Sequence, residues 1–387
     1  MLRFITAGES HGPQLTAIIE GLPAGLDILI DKINTDLKRR QGGYGRGERM
    51  KIESDTVEIT SGVRFGKTLG SPLTLVIKNK DWDNWKSKMS IEPLNSYDDI
   101  KTITKPRPGH ADLDGVMKYG FKDIRNVLER ASARETAIRI AVAGMAKILL
   151  AEFGVDLVGY IISIGEVLAP PIPENISIAE IRNKTDKSEF RCYYPETDND
   201  MKKAVDSAKS AGDTLGGVFE VVADGLPMGL GSYVQWDRRL DGRLSQAIMS
   251  IPAIKGVEIG LGIEGAHRLG SQVHDSIYFE NGKFKRQTNN AGGLEGGVTN
   301  GQRLVIRGYM KPISTLMNPL ESVDLVTKES AVAAVERSDV CAAPAAAVVG
   351  EAVVAIELTK AFQEKFGGDS IEEMKRNYKG YLENLPY

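Results

Sequence analysis

Two segments of this chain, 131–153 and 342–362, are apolar or small around nearly their whole helical circumference. A helix without a polar face has to be buried, so the rest of the chain must enclose both. The residues available for that task alternate with period two between Gly and Pro turns: LTAIIEG, KIESDTVEITSGV, PLTLVIKN, GGVFEVVADG, HDSIYFENG and QRLVIRGYM. The economical arrangement is an α+β layered sandwich with central buried helices between two antiparallel sheets. Segments 80–104 and 165–210 lack this pattern and are expected to be lid or peripheral inserts with some helix.

The two helices recur in matching surroundings. IIEGLPAGL (18–26) returns as VVADGLPMGL (221–230), PLTLVIKN (72–79) as QRLVIRGY (302–309), and KPRPG (105–109) as KPIST (311–315). Several anchors in one order predict an internally duplicated single domain over 1–387, with intertwined halves at about 1–160 and 211–365. Nothing in the sequence reaches the length of a membrane span, and MLRFITAGES carries no basic leader, so a cytoplasmic protein without a membrane partner is expected. The only cysteines, Cys192 and Cys341, belong to no CxxC pattern, so no metal is expected. A net charge of −3 argues against nucleic acid as a partner.

Positive charge is instead local, and it keeps company with histidine. Of the 4 histidines, His11 and His110 lie in glycine-flanked loops, GESHG and KPRPGHAD, which suits acid/base work on an anion. His267 and His274 read as ordinary structural histidines. In RASARET, Arg130 and Arg134 fall at the expected amino end of a buried helix, where the helix dipole disfavours cations. Either an anionic ligand or an internal salt bridge, to Glu129 or Glu135, would resolve that conflict. Arg337, Ser338 and Asp339 precede the second helix, whose first turn can hold Pro344; capping accounts for Asp339 but not for Arg337. Lys38, Arg39 and Arg40 suit the last turn of a helix ending at glycine, while Arg46 and Arg49 fall beyond it in a glycine-rich loop that can fold over a polyanion. NNAGGLEGGVTNG (289–301) offers backbone N–H groups to a phosphate, or a plain hairpin turn.

Two look-alike motifs fail. SGVRFGKT has three residues between its glycines where a P-loop needs four, and GLGIEG opens no amphipathic helix, so neither a nucleotide kinase nor a Rossmann dehydrogenase fits. A binding or scaffold protein would need neither loop histidine.

Eight ordered motifs carry a more specific signal: GESHG, RRQGGYGRGERM, RPGHADLDG, ERASARET, MSIPAIKGVEIGLG, NAGGLEGG, KPIST and ERSDVC. Together they resemble the chorismate synthase family over essentially the whole chain. The resemblance implies a homotetrameric carbon–oxygen lyase at the seventh step of the shikimate pathway. It would eliminate phosphate from 5-enolpyruvylshikimate 3-phosphate, in the anti-1,4 sense, to give chorismate. Reduced FMN would be required although the overall reaction is redox-neutral, because electron donation from the flavin weakens the C–O bond.

By the same resemblance, His11 is the acid at the departing phosphate, His110 protonates the reduced flavin, and Asp339 assists proton movement there. Ser10 and Ser132 support the network. FMN contacts carry over to Arg130, Ala131, Ser132, Gly296, Lys311, Pro312, Ile313, Ser314, Thr315 and Arg337. Pro252 and Ala253 join them, although Pro252 stands where many family members have asparagine. Arg40, Arg46, Arg49, Arg107 and Arg134 are the candidates for the substrate's phosphate and carboxylates. Arg40 and Arg46 are alternative contacts for the phosphate of NADPH, the indirect reductant the family allows. The absence of an appended domain points to a separate flavin reductase as partner.

Overall fold

The computed structural model describes residues 1–46, 54–98, 100–336 and 338–385. Four strands form one antiparallel sheet: β1 (Arg3–Ala7), β2 (Gln14–Glu20), β3 (Glu58–Ser61) and β4 (Leu73–Lys78), ordered β1-β2-β4-β3. A second antiparallel sheet contains β5 (Asp156–Ile164), β6 (Val167–Leu168), β7 (Gly217–Asp224), β8 (Ile254–Ile259) and β9 (Leu304–Met310), ordered β6-β5-β7-β9-β8. Without the two-residue β6, each sheet places its strands, taken in chain order, as first, second, fourth, third. The strand Asp156–Ile164 belongs to the second sheet, so the chain changes sheets near Gly154 rather than near residue 160.

The helices that bear on the site are α1 (Ile30–Gln41), α2 (Asp112–Tyr119), α3 (Arg125–Ala131), α4 (Thr136–Ala151), α5 (Leu240–Met249) and α6 (Ala343–Phe366). In the run of strands that builds each sheet a helix, α1 or α5, stands between the second strand and the third, and a buried helix, α4 or α6, follows the fourth. α4 packs on β2 and β4, α6 packs on β5 and β7, and the two helices pack on each other. Their apolar circumference dictates this: Ile138, Val142 and Leu149 of α4 and Val348, Val354 and Leu358 of α6 share one buried cluster with Leu75 and Ile77 of the first sheet and Phe219 and Val221 of the second. The fit is close. A Cβ added at Gly350 of α6 would lie 2.3 Å from Phe219 Cε2, so Gly350→Ala overpacks the core at a cost of about 1–3 kcal/mol.

A charge cluster is buried against this core. Glu351 of α6 accepts from Arg39 of α1 at 2.9 and 3.0 Å, from Lys147 of α4, and from the Gly159 amide of β5 at 2.9 Å. Burial opposes its ionisation, but the charges of Arg39 and Lys147 outweigh that and hold the carboxyl far below its ordinary range. The last-turn cation Arg39 therefore anchors helices instead of meeting a ligand. α1 ends at Gly42, as its basic last turn predicts.

The first buried helix begins later than its apolar run implies. Arg130 lies in the last turn of α3, the chain extends at Ser132, and one 3-10 turn (Ala133–Glu135) leads into α4. Arg130 thus occupies a carboxyl-terminal helix end, where a cation is favoured, and only Arg134 remains at an amino end. Of the two inserts, 80–104 contributes a short 3-10 turn at Trp82–Asn84, and 165–210 contributes helices Ile178–Thr185 and Pro195–Ser210. No helix among the described residues is long and apolar enough to cross a membrane.

Candidate active site

A cavity of about 450 Å³ opens at the amino ends of α4 and α6, with Ala133 and Arg134 of the turn leading into α4 and the α6 cap Ala342 in its wall. Two helix dipoles therefore present their positive ends to it, which favours an anion. Four arginines, Arg40, Arg46, Arg107 and Arg134, also line the wall.

His11 reaches this wall from the loop between β1 and β2. Its Nδ1 lies 2.9 Å from both carboxylate oxygens of Glu129 on α3, and its backbone N–H donates to Oε2 at 2.8 Å. Arg125 donates to Oε1 at 3.0 Å. Burial works to keep Glu129 neutral, but the bonds from His11 and Arg125 outweigh it and hold the carboxyl below its usual range. Trp85 stacks on the imidazole with centroids 3.7 Å apart, which brings the 80–104 insert to the site.

His110 has a local counterpart. Its Nδ1 lies 2.5 Å from Asp112 Oδ1 at the start of α2, and Arg107 donates to Oδ2 of the same carboxylate through Nε at 2.8 Å. Burial again opposes ionisation, yet the bonds from His110 and Arg107 and the Arg107 charge hold Asp112 far below the carboxylate range. Arg107 also donates to Thr315 Oγ1 at 3.1 Å, and Lys311 Nζ donates to the Gly109 carbonyl at 3.1 Å. The RPGH and KPIST loops are thereby tied together across the cavity.

The remaining cations are built in. Arg134 pairs with buried Asp55 at 2.6 Å, and Arg40 donates to Thr136 Oγ1 and the Ala133 carbonyl, each at 2.9 Å. Arg46 meets Asp339 at 3.3 Å. The cap of α6 is Ala342 with no side-chain bond, so Asp339 serves as an ion-pair partner at the cavity rather than as a helix cap. Ser132 donates to Ser10 Oγ at 3.2 Å, joining the two expected hydroxyls. Ala131, Pro252, Ala253, Met310 and Ile313 give the lining its apolar part. Ala253 adopts φ +69°, a left-handed conformation uncommon for a residue with a Cβ, and its carbonyl accepts from the Lys311 amide at 2.9 Å. Burial and the like charge of Lys255 lower Lys311 from its ordinary value.

Sixteen of the residues singled out from the sequence line this one cavity: Ser10, His11, Arg40, Arg46, Arg107, His110, Ala131, Ser132, Arg134, Pro252, Ala253, Lys311, Ile313, Ser314, Thr315 and Asp339. Arg49 and Arg337 lie outside the described residues. Three others are not in the wall. Pro312 is exposed between two lining residues, and Gly296 occupies the exposed turn of a hairpin, Leu294–Glu295 with Val298–Thr299. Arg130 donates to the carbonyls of Thr6 and Gly8 at 3.1 and 3.0 Å, which clamps β1 to the loop that carries His11. The salt bridge considered for the RASARET arginines goes to neither Glu129 nor Glu135: Arg134 takes Asp55, and Arg130 takes backbone. Sequence reading missed the buttresses Glu129 and Asp112 as partners of histidine, and it missed Trp85. Only Asp112, two residues from His110, had a visible signal.

The family model described as chorismate synthase matches residues 2–363. This chain belongs to the chorismate synthase family. The chorismate synthase of Geobacter metallireducens is 60% identical across 100% of this chain and 99% of its own length. Chorismate synthase 2 of Bacillus cereus is 56% identical, covering 97% of each sequence. A crystal structure of chorismate synthase matches with a TM-score of 0.80 at 45% identity, over 99% of this chain and 97% of the other. The chain is an enzyme of this type, a lyase of aromatic amino acid biosynthesis.

Proposed function

We propose that this chorismate synthase carries out the family reaction in the cavity between α4 and α6, eliminating phosphate from 5-enolpyruvylshikimate 3-phosphate to give chorismate. One observation carries the placement: two histidines, each anchored through Nδ1 on a buried carboxylate, line the same cavity as Arg40, Arg46, Arg107 and Arg134. The substrate's phosphate and two carboxylates need several cations, and these arginines are already oriented by Asp55, Asp112, Asp339, Thr136 and the Ala133 carbonyl.

In this reading His11 gives a proton to the departing phosphate, and the Ser10–Ser132 hydroxyl pair orders the loop that holds it. His110 and Asp339 hold and move protons on the flavin side. A flat isoalloxazine ring with a phosphate tail fits a cavity lined by both apolar residues and cations. Ala131, Ser132, Pro252, Ala253, Lys311, Ile313, Ser314 and Thr315 would hold it, with Pro312 in the same loop. Reduced FMN, when bound, supplies electron density that weakens the C–O bond without net consumption. Arg130, through its clamp on Thr6 and Gly8, would support the site from behind. Arg49 and Arg337 retain their expected roles at the substrate and the flavin. Gly296 would have to be presented by another copy in the homotetramer that belongs to this reading.

NADPH acting through a separate flavin reductase completes it, supported by GLGIEG, which turns into a 3-10 segment (Gly262–His267) and not into a dinucleotide fold. We read the chain as one internally duplicated domain over 1–387, with its helices layered between the sheets, supported by the shared strand order of both halves. Two buried, free cysteines support a reducing, cytoplasmic setting. The test is an anaerobic mixture of the protein, reduced FMN and 5-enolpyruvylshikimate 3-phosphate. Phosphate and the chorismate diene should appear together without loss of reductant. Absence of product from natively folded protein overturns the reading, and stoichiometric flavin oxidation replaces it with an oxidoreductase.

A further inference from the structure

Glu129 has no assigned part in the chemistry, yet its placement around His11 is unusually complete. Its backbone carbonyl accepts from the Ser10 amide at 2.9 Å, and its carboxylate accepts from the His11 amide at 2.8 Å and from the His11 ring at 2.9 Å. The carboxylate is nearly inaccessible, with side-chain exposure of 1%. A buried carboxylate that already receives Arg125 and a backbone N–H is an acceptor only, so the ring nitrogen facing it must carry hydrogen. Trp85, stacked at 3.7 Å with an interplanar angle of 25°, covers one face of the ring and opposes its flipping.

We propose that Glu129 is a positioning residue that fixes the hydrogen of His11 on Nδ1, so that every proton His11 gains or gives in the reaction passes through Nε2. The inference rests on the reading of His11 as the acid, and it extends that reading to a stated ring atom. A histidine free to exchange tautomers spends part of its time with the wrong nitrogen presented; Glu129 removes that loss. Because Glu129 lies behind the ring, its work concerns the proton and leaves substrate affinity to the arginines.

The test uses the full chain labelled with ¹⁵N-histidine, with His11 assigned by difference from a His11→Gln sample. Neutral His11 should show the pattern of hydrogen on Nδ1. Hydrogen on Nε2 in the wild-type chain overturns the proposal whether or not any variant folds. In Glu129→Gln, one oxygen becomes a donor facing the converging N–H groups, so the Nδ1 signature should weaken or mix. Then kcat should fall at least tenfold while KM for the substrate stays within about twofold. Glu129→Asp, which keeps the carboxylate on a shorter arm, should recover part of the Nδ1 signature and part of the rate. An unchanged tautomer and rate in folded Glu129→Gln, beside an inactive His11→Ala, sinks this proposal alone. A fully active His11→Ala sinks the acid role itself, leaving the tautomer result to stand as a structural fact.

Discussion

The first half of the chain, residues 1–154, and the second half, 155–385, build sheets of one strand order but contribute unlike groups to the cavity. Among the described residues, both lining histidines and all four lining arginines come from the first half. The second half supplies the Pro252–Ala253 turn, Met310, the Lys311–Thr315 loop, Ser338 and Asp339. Two sheets of one strand order, each with a buried helix after the fourth strand, thus carry both histidines and the four arginines on one side, and small residues with Lys311 and Asp339 on the other. Most of these groups stand in loops and at helix ends, which the packed sheets and helices hold in place. The contrast yields a rule that experiments can break: changes at the first-half histidines and arginines should strike turnover, and second-half changes, Asp339 aside, should strike cofactor affinity or stability.

The largest effect is expected at the histidines. His11→Ala and His110→Ala should each lower kcat by at least roughly tenfold, and up to the 10²–10⁴ that general acid–base catalysis supplies, with circular dichroism unchanged. Wild-type turnover in either variant would remove that histidine from the mechanism. His11→Ala should leave flavin affinity within about twofold, because most of the residues proposed to hold the flavin belong to the 252–253 turn and the Lys311–Thr315 loop.

The buttressing carboxylates give the first half a pH signature. Glu129 and Asp112 are both held below their ordinary values in the folded state. Such groups stabilise the fold above the unfolded carboxylate range, near pH 4, and that contribution is lost as pH falls through their folded values. Asp112→Asn should therefore cost about 1–3 kcal/mol at neutral pH by leaving Arg107 and His110 without their charged acceptor. The deficit relative to wild type should shrink as acid protonates Asp112 in the parent. Urea unfolding at several pH values measures it, and a deficit that grows on acidification contradicts the assigned sign.

A smaller change is expected from the second half. Lys311→Met removes a cation that the KPIST loop presents to the cavity, so binding of reduced FMN should weaken by roughly tenfold, about 1.4 kcal/mol. At saturating flavin kcat should remain within about twofold. A loss of kcat with unchanged affinity would move Lys311 to the reacting side and erase the contrast between the halves.

Legibility in the sequence followed the range of the interactions involved. The circumferential apolarity of α4 and α6 is a local pattern, and so is the basic last turn of α1 before Gly42; both could be read without coordinates. Asp112 lies two residues from His110, whereas Glu129 lies 118 residues from His11, and no spacing rule reaches that far. The break at Ser132 was hidden because RASARETA has good helix formers on both sides; the tertiary contacts of Arg134 with Asp55 and of Ser132 with Ser10 accompany the extended backbone there. β5 was missed for a related reason. Its residues are buried on both faces, so DLVGYIISI shows no alternation and reads as a continuation of apolar chain.

The smallest prediction concerns the cradle itself. Ala253 holds φ +69°, where an L-residue with a Cβ is disfavoured by about 1–2 kcal/mol, and it does so in the turn whose carbonyl receives the Lys311 amide. Glycine takes that conformation without the steric penalty but loses about 0.5–1 kcal/mol through the greater freedom of the unfolded chain. Ala253→Gly should therefore leave stability equal or raise it by up to about 1 kcal/mol, read from the urea midpoint at constant m-value. At a position of ordinary φ the same replacement would destabilise, so a loss of more than about 1 kcal/mol would show that the backbone at Ala253 is not left-handed. If the variant is more stable yet binds reduced FMN less tightly, the methyl group itself is part of the apolar lining. The strained turn is then retained for the contact it makes, and the second half's contribution is cofactor cradle in the sense the contrast requires.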